Sequence, residues 1–475
     1  NAVNGVINII TKSARDTQGT YISGGGGSWL QDFGAVRYGG SVSSNLFYRV
    51  YGQHSDRDSS LLANGNDATN AWDMTQGGFR MDYYPSDVNT LTLQGDAYAG
   101  GEEQPAPGDV TLDGQNVLGR WTRTFSEESD LSVQAYFDRT WRDIPGTFAE
   151  DLKTYDLDFQ NRFPLGGRQS ITWGAGYRLM VDEVQNSAAL AFLPANKDMQ
   201  LFGGFVQDEI ALVPDRLKFT LGTKLEHNDF SGFEVQPSVR LAWTPDERQT
   251  VWAAVSRAVR SPSRIDTDLF VPGSPPYLLA GGTNFDSEKL IAYELGYRVQ
   301  PQEKLSLSLA SYYNFYNELR SLNMNSPGHF VLANDFRGEV WGAELSANYQ
   351  STTWWRLRAG YDYLHKNLWP TSANATPSVR EGNDPQNQCS LQSIMDLPAH
   401  FQVDFTARYV DTLPTPNVPS YITFDARLAW QYKRVEIALV GQNLASDRHA
   451  EFRSSATAPA QEIPRSVYGK ITVRF

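Results

Sequence analysis

The last ten residues of the chain, SVYGKITVRF (466–475), alternate between two kinds of side chain. One set is apolar or small and comprises Val467, Gly469, Ile471, Val473 and Phe475. The other set can contact water and comprises Tyr468, Lys470, Thr472 and Arg474. Because successive side chains of a β-strand point to opposite faces, this period of two predicts a strand with one apolar and one polar face.

Three more segments in the C-terminal part of the chain show the same alternation, namely YITFDARLAW (421–430), FQVDFTARY (401–409) and WRLRAGYDY (355–363). Strands of about ten residues with this pattern suit a wall that faces lipid on one side and water on the other. A mean hydropathy of −0.44 agrees with such a wall, since its apolar and polar positions average out. No run of about 18 apolar residues occurs, which excludes a membrane-spanning helix.

The connections between these segments are of two kinds that alternate along the chain. The short kind is rich in Pro, Asp, Gly and Ser, which favour turns, and occurs at 43–45, 85–87, 127–130, 164–167, 214–216, 245–248, 301–304, 351–353, 398–400 and 433–434. The long kind spans residues 56–73, 100–115, 183–198, 261–287, 366–388 and 447–465. Short turns on one rim and long loops on the other are typical of outer-membrane barrels.

Ten short turns imply about 22 strands, the size at which barrels are transporters with a plugged lumen. The predicted fold class is therefore all-β. It is a transmembrane antiparallel up-and-down β-barrel of about 22 strands, with short periplasmic turns and longer extracellular loops. A β-helix or a propeller would show a repeat of fixed period, and the sequence has none.

The opening segment, NAVNGVINIITK (1–12), does not follow the pattern of the wall. Val6, Ile7, Ile9 and Ile10 crowd together without alternation, which favours burial on both faces. A barrel with an even number of strands has both ends of its wall on the short-turn rim. If the first wall strand lies near residues 20–29, the segment 1–12 is not one of the wall strands. We interpret it as the last strand of a preceding domain.

Composition and charge exclude several classes of protein. A net charge of −13 leaves no basic face for nucleic acid. Cys389 is the single cysteine, so no intramolecular disulfide can form, and zinc-type Cys/His spacings are absent. The clusters at 226–229 (EHND) and 447–449 (DRH) could imitate part of a protease dyad or a metal site. Polar residues are ordinary at strand-to-loop junctions, however, and outer-membrane proteases and lipases are much smaller barrels. We expect no enzyme, no cofactor and no metal site.

Ligand capture is a better use of the long loops. The segment from Arg260 to Tyr277 mixes cations, aromatic rings and stiffening prolines, and other loops offer the rings of Phe148, Phe192, Phe330, Trp369 and Phe452. Aromatic surfaces with a few placed charges bind small ligands, and arginine suits carboxylates and anionic chelates. The candidate binding residues are Arg260, Arg264, Tyr277, Phe330 and Trp369. The alternative is that these aromatic residues only pack the loops or form a girdle.

The polar face of the C-terminal strands is predicted to line the lumen. It carries Arg356, Arg358, Asp362, Asp404, Arg408, Asp425 and Arg427. We expect these side chains to pair with the domain that fills the lumen, rather than to form a path for substrate. A barrel of this width would leak if it were empty, so a plug is physically required.

Several motifs, in order along the chain, resemble those of TonB-dependent outer-membrane receptors. NAVNGVINIITK (1–12) resembles the end of their plug domain, and SRAVRSPSR (256–264) resembles the entry to a long extracellular loop. NFDSEKLIAYELGY (284–297) looks like their loop-to-strand motif, with Glu288 and Glu294 at its acidic positions. VWGAELSANY (340–349), GQNLASDRHAEF (441–452) and the terminal Phe475 complete the set.

The resemblance implies a domain division. Residues 1–18 would be the C-terminal remnant of the plug and its linker, and residues 19–475 the barrel. It also implies a barrel in the outer membrane of a Gram-negative bacterium, surrounded by lipid and lipopolysaccharide. TonB would be a partner through a plug segment upstream, and Phe475 would be an assembly signal. We expect a monomer.

The resemblance further implies active uptake of a scarce nutrient, in first place a ferric siderophore, with cobalamin or another metal chelate as the alternative. Two rival interpretations belong to other classes of protein. A passive porin would need a constriction loop folded inside the barrel. An adhesive surface barrel would need folded loop domains, for which the longest loop here is too short.

Overall fold

The computed structural model describes residues 5, 7–378, 380–453 and 459–475. Twenty-two long strands form the wall. In chain order they are β1 (Gly19–Gly27), β2 (Leu30–Ser43), β3 (Leu46–Arg57), β4 (Trp72–Ser86), β5 (Asn89–Glu102), β6 (Val110–Ser126), β7 (Ser129–Ile144), β8 (Phe148–Leu165), β9 (Gln169–Gln185), β10 (Asn196–Val213), β11 (Leu217–Asn228), β12 (Gly232–Asp246), β13 (Gln249–Arg260), β14 (Glu288–Gln302), β15 (Leu305–Ser326), β16 (His329–Thr352), β17 (Trp355–Pro370), β18 (Asn387–Leu397), β19 (Phe401–Val410), β20 (Tyr421–Tyr432), β21 (Val435–Gln442) and β22 (Ser466–Arg474).

Each wall strand pairs antiparallel with its neighbours in the chain, and the last strand closes on the first. The closing register runs from Tyr21 opposite Arg474 to Gly27 opposite Tyr468. Closure leaves no strand edge, so the backbone groups of the wall are paired within the sheet. The predicted all-β antiparallel barrel of about 22 strands is confirmed.

The ten predicted short turns lie between the strands that they were expected to join, from the β2–β3 turn to the β20–β21 turn. The other rim carries the longer connections, although some are shorter than predicted because the flanking strands continue above the wall. The predicted loop 100–115, for example, reduces to residues 103–109 between β5 and β6. On the same rim, only Pro327 and Gly328 join the two very long strands β15 and β16.

The two faces of the wall follow the predicted alternation. In β22, Ile471 is 52% exposed on the outer face, whereas the neighbouring Thr472 is 1% exposed. Outward apolar side chains recur around the barrel, among them Val36, Leu221, Leu345 and Ile437. A continuous apolar outer surface is what a barrel embedded in a bilayer presents.

Short elements lie on the long-loop rim, at the chain start and, in one case, on the short turn between β18 and β19. The helical turns are Arg15–Thr17, α1 (Arg264–Thr267), Glu381–Asn383 and Pro398–His400. The short loop strands are Leu61–Leu62, Ala191–Phe192, Leu269–Val271, Leu279–Ala280, Ala375–Pro377, Arg448–Phe452 and Gln461–Pro464. In the described part of the chain, no helix has the length and apolar character needed to cross a membrane.

The two ends of the chain meet at the short-turn rim. The Phe475 N–H donates to the Thr20 carbonyl at 2.9 Å, and the Phe475 ring is 62% exposed. Ile7, Ile9 and Ile10 are more than four-fifths exposed and belong to no strand, while Val6 lies outside the described residues. The division into residues 1–18 and 19–475 and the assembly role of Phe475 stay predictions.

The closing seam depends on glycines in β1. A methyl group placed on Gly25 would lie 2.0 Å from the Gly469 carbonyl oxygen of β22, so the strands could not keep their spacing. We predict that Gly25→Ala destabilises the barrel by about 1–3 kcal/mol, as overpacking does. The measurement is the temperature at which the folded, fast-migrating band disappears on electrophoresis. Gly119→Ala is the matched control, since nothing lies within 4 Å of its added methyl group. Equal midpoints for the two variants would contradict the prediction.

Candidate functional site

At the long-loop rim, several connections join into one hydrogen-bonded sheet. Ala191–Phe192 pairs with Leu269–Val271, which pairs with Leu279–Ala280. Leu279–Ala280 runs parallel to the start of β16, and the neighbouring β15 pairs in turn with Ala375–Pro377. Four separate connections are therefore linked into a single cover over part of the mouth.

Asp266 is the centre of the ion pairs that hold this cover. Its side chain is fully buried and accepts hydrogen bonds from Arg260 Nη1 and the Ser263 N–H, both at 2.9 Å. Arg320 Nη1 lies 3.3 Å from its other oxygen. Ser263 and Asp266 also form the capping box of α1, which explains why the sequence SPSRID turns into a helix here.

Arg264 holds the same loop to the wall and to the connection between β9 and β10. Its guanidinium donates to Asp182 at 2.7 Å and to Asp268 at 3.2 Å, and it lies 5.1 Å from the centre of the Phe192 ring. The side chain is 6% exposed. Such a buried cation joins the two segments structurally, since removing Arg264 would leave the buried Asp182 carboxylate without its ion pair.

The pKa of Asp266 reflects two opposed effects. Burial alone would raise it, but the hydrogen bonds from Arg260 and Ser263 and the charge of Arg320 lower it below the ordinary value. The carboxylate therefore stays ionised at neutral pH and keeps its three partners.

The predicted binding residues fall into two places. Arg260, Arg264, Tyr277 and Phe330 come together around the cover: the Tyr277 ring packs on Phe270 at 4.8 Å, and the Phe330 N–H donates to the Leu278 carbonyl. Trp369 lies elsewhere. It has the same parity in β17 as the exposed Tyr361, so it faces outward, where Arg337 stacks on it at 5.3 Å. A role of these residues in ligand capture stays a prediction.

The predicted lumen residues include several that pair with one another or with other wall residues. Arg427 contacts Asp404 and Glu436, each at 3.0 Å. Arg408 contacts Asp425, and Arg356 contacts Asp396, both at 3.3 Å. These pairs link neighbouring strands of the wall. The expected pairing of this face, which also carries Arg358 and Asp362, with a plug stays a prediction.

The polar clusters at 226–229 and 447–449 are bonded locally. Glu226 accepts from Lys224, Asn228 donates to Ser231, and His449 contacts Glu451 at 2.8 Å. Among the described residues, no group of three or more His, Cys, Asp or Glu side chains is arranged to hold a metal ion.

The linker that precedes β1 is held against the inner wall. Asp82 is 1% exposed, accepts the Ala14 N–H at 2.6 Å and is paired with Arg80 at 2.9 Å. Arg80 also donates to Thr11 Oγ1, and Arg49 donates to the Lys12 carbonyl. This group of contacts, the linker clamp, fixes residues 11–17 near the short-turn rim.

A pocket at the mouth was not predicted from the sequence. It has a volume of about 530 Å³ and lies between the upper ends of β3–β6 and the loop strands Arg448–Phe452 and Gln461–Pro464. Arg57 stands in it between the rings of Trp29 and Trp72. The sequence did contain a signal, because all three residues lie at strand-to-loop junctions of consecutive strands and therefore meet at one rim.

Comparison with known proteins gives one family model and many similar structures. Residues 13–444 match the model described as TonB dependent receptor-like, beta-barrel.

Solved structures with this fold include three transporters or receptors. The FrpB iron transporter from Neisseria meningitidis has a TM-score of 0.82 at 13% identity, covering 98% of this chain and 83% of that one. A mutant of the ferric enterobactin receptor PfeA from Pseudomonas aeruginosa, in complex with enterobactin, has a TM-score of 0.79 at 16% identity, with coverages of 99% and 83%. The copper transporter OprC has a TM-score of 0.79 at 14% identity, with coverages of 96% and 81%. At such identities the likeness shows the fold.

The ion pairs around Asp266 generate a prediction about the cover. Asp266→Asn keeps the shape of the side chain but removes the charge that Arg260 and Arg320 share. Breaking a buried pair costs about 3–5 kcal/mol, so the 261–287 loop should open and exchange its amide hydrogens faster. Hydrogen exchange read by mass spectrometry measures this directly. Asp447→Asn is the matched control, because that carboxylate is 93% exposed.

The same prediction has a pH dependence. Because the pKa of Asp266 is lowered by folding, its stabilising effect is complete above the ordinary carboxyl pKa of about 4 and is lost as the pH falls through the lower folded value. Loop exchange in the wild type should therefore approach that of Asp266→Asn only in strong acid. An Asn variant with wild-type exchange would show that the ion pairs do not hold the cover.

Proposed function

The chain belongs to the TonB-dependent receptor family, and from that premise we propose that it takes up a ferric siderophore across the outer membrane of a Gram-negative bacterium. The match of residues 13–444 to the receptor barrel carries the proposal. Similar structures include transporters of iron and of copper and a receptor in complex with enterobactin, which supports a small metal chelate as the cargo. Cobalamin or another metal chelate is the alternative cargo within the same function.

The proposed transport begins at the long-loop rim. A pocket that combines aromatic faces with a cation, as around Arg57, suits capture of a small ligand. The hydrogen-bonded cover on another part of the same rim would stay closed at neutral pH, because Asp266 keeps its charge and its partners. We propose no enzymatic activity, since the family match is to receptors and the polar clusters serve local bonding.

Transport would need a gate and a source of force. A barrel of this size encloses a lumen wider than its own side chains can fill, so a plug would close it. Since no ATP is available at the outer membrane, TonB would pull on that plug from the inner membrane. The linker clamp would then be a fixed point, because Asp82, Arg80 and Arg49 hold residues 11–17 to the wall while the plug moves.

Uptake in cells tests the proposal. The full-length gene, expressed in a host that lacks its own siderophore receptors, should support accumulation of radioactive iron supplied as a siderophore complex. Accumulation should fall to background when TonB is deleted, because the transport is uphill. Equal uptake with and without TonB would favour a passive porin, and no uptake of any metal chelate would contradict the proposal.

The difference between the two rims predicts the orientation in the membrane. In a Cys389→Ser background, which removes the exposed native thiol, Ser274→Cys should react with an impermeant maleimide on intact cells. Gln302→Cys, on a short turn, should react only after the outer membrane is permeabilised. Labelling of position 302 but not 274 on intact cells would invert the orientation.

A further inference from the structure

We propose that the pocket at Arg57 is a capture subsite for the carboxylate group of a metal chelate whose net charge is small. The inference rests on the proposed function and narrows it, since it names both the ligand group and the residues that would contact it. It concerns a part of the mouth different from the cover around Asp266.

The geometry fixes the Arg57 guanidinium before any ligand arrives. Its central carbon lies 4.6 Å from the centre of the Trp29 ring and 5.3 Å from that of Trp72. Stacking between two indoles holds a cation by its faces. The in-plane N–H groups at the edge of the guanidinium are the donors that remain for a ligand.

Those donors lack acceptors in the described part of the chain. Arg57 Nε and Trp29 Nε1 are buried and have no hydrogen-bond partner among the described residues, and Arg57 forms none of the ion pairs found there. Arg264 is the contrast, since its charge is neutralised by Asp182 and Asp268. Buried donors without partners are unfavourable, so Arg57 keeps hydrogen-bonding capacity that no described residue uses.

A carboxylate fits this arrangement best. It is planar and presents two oxygens, which match two N–H groups at the edge of a guanidinium. Trp29 Nε1 is a further donor without a partner among the described residues. The volume of about 530 Å³ is sufficient for one arm of a chelate together with part of its body.

The acidic side chains that line the pocket limit the net charge of the ligands that can bind there. Besides Arg57, the charged residues around the pocket are Asp58, Asp73, Glu102 and Glu451. All four side chains belong to exposed residues, and their shared negative charge weakens binding of a polyanion more than binding of a ligand with a single negative charge. A catecholate complex with several negative charges is disfavoured, whereas a ferric trihydroxamate, whose core is neutral and whose free carboxylate gives it a single negative charge, is favoured.

The test uses two matched probes on the full-length protein in detergent. One is a linear ferric trihydroxamate with one free carboxylate, and the other is a cyclic ferric trihydroxamate without one. Calorimetry should show that Arg57→Gln weakens binding of the first probe roughly 30-fold and leaves the second unchanged. Arg57→Lys should fall between wild type and Arg57→Gln, because it keeps the charge but loses the planar edge. Ferric enterobactin should bind the wild type more weakly than the carboxylate probe.

Arg337→Gln is the control variant, since Arg337 also stacks on a tryptophan but on the outer face of the wall. It should bind all three complexes as the wild type does, and each variant must keep the wild-type heat-resistant band. The inference is overturned if Arg57→Gln binds the carboxylate probe normally, if ferric enterobactin binds more tightly, or if the wild type binds none of the probes.

These outcomes are separate from the uptake test. If TonB-dependent uptake is unaffected by Arg57→Gln, the proposed subsite is contradicted and the proposed function is still supported. Binding of the carboxylate probe that depends on Arg57, without any uptake in cells, would support the subsite and contradict the proposed function.

Discussion

Closure of the sheet is the constraint on which the other features depend. An open edge would present unpaired N–H and C=O groups, which cannot be left without partners where water is absent. Pairing of β1 with β22 removes that edge, and the glycines of β1 allow the close approach. Because the strand number is even, closure also brings both chain ends to one rim. The linker clamp at Asp82 can therefore hold the chain where it enters the wall.

Charge at the mouth is used in two different ways that residue type alone does not distinguish. Arg260 and Arg264 are each paired with two carboxylates and join loops to the wall. Arg57 is held by the faces of two rings, which fix its position without neutralising it. A guanidinium is available to a ligand only in the second case. The number of arginines in a loop is therefore a poor guide to the binding site.

The distance along the chain between interacting residues explains how much of the structure could be predicted from the sequence. Alternation and turn residues are local, so the wall, its strand number and the ten turns could be predicted. The orientation of Trp369 needs the strand to continue to Pro370, beyond the position where the predicted loop 366–388 begins. Partners such as Asp182 for Arg264 lie far away in the chain. Such contacts depend on how loops cross the mouth, which no local pattern in the sequence encodes.

Cover and pocket also differ in how they could respond to a ligand. The cover is cross-linked by strand pairing and by a buried carboxylate, so opening it would break several interactions at once. The pocket around Arg57 already has unused donors, so a ligand would add contacts there without first breaking an ion pair of Arg57. A ligand at the proposed subsite would therefore gain its first binding energy without opening the cover. The rigid wall between the two regions keeps that first contact at a fixed position above the lumen.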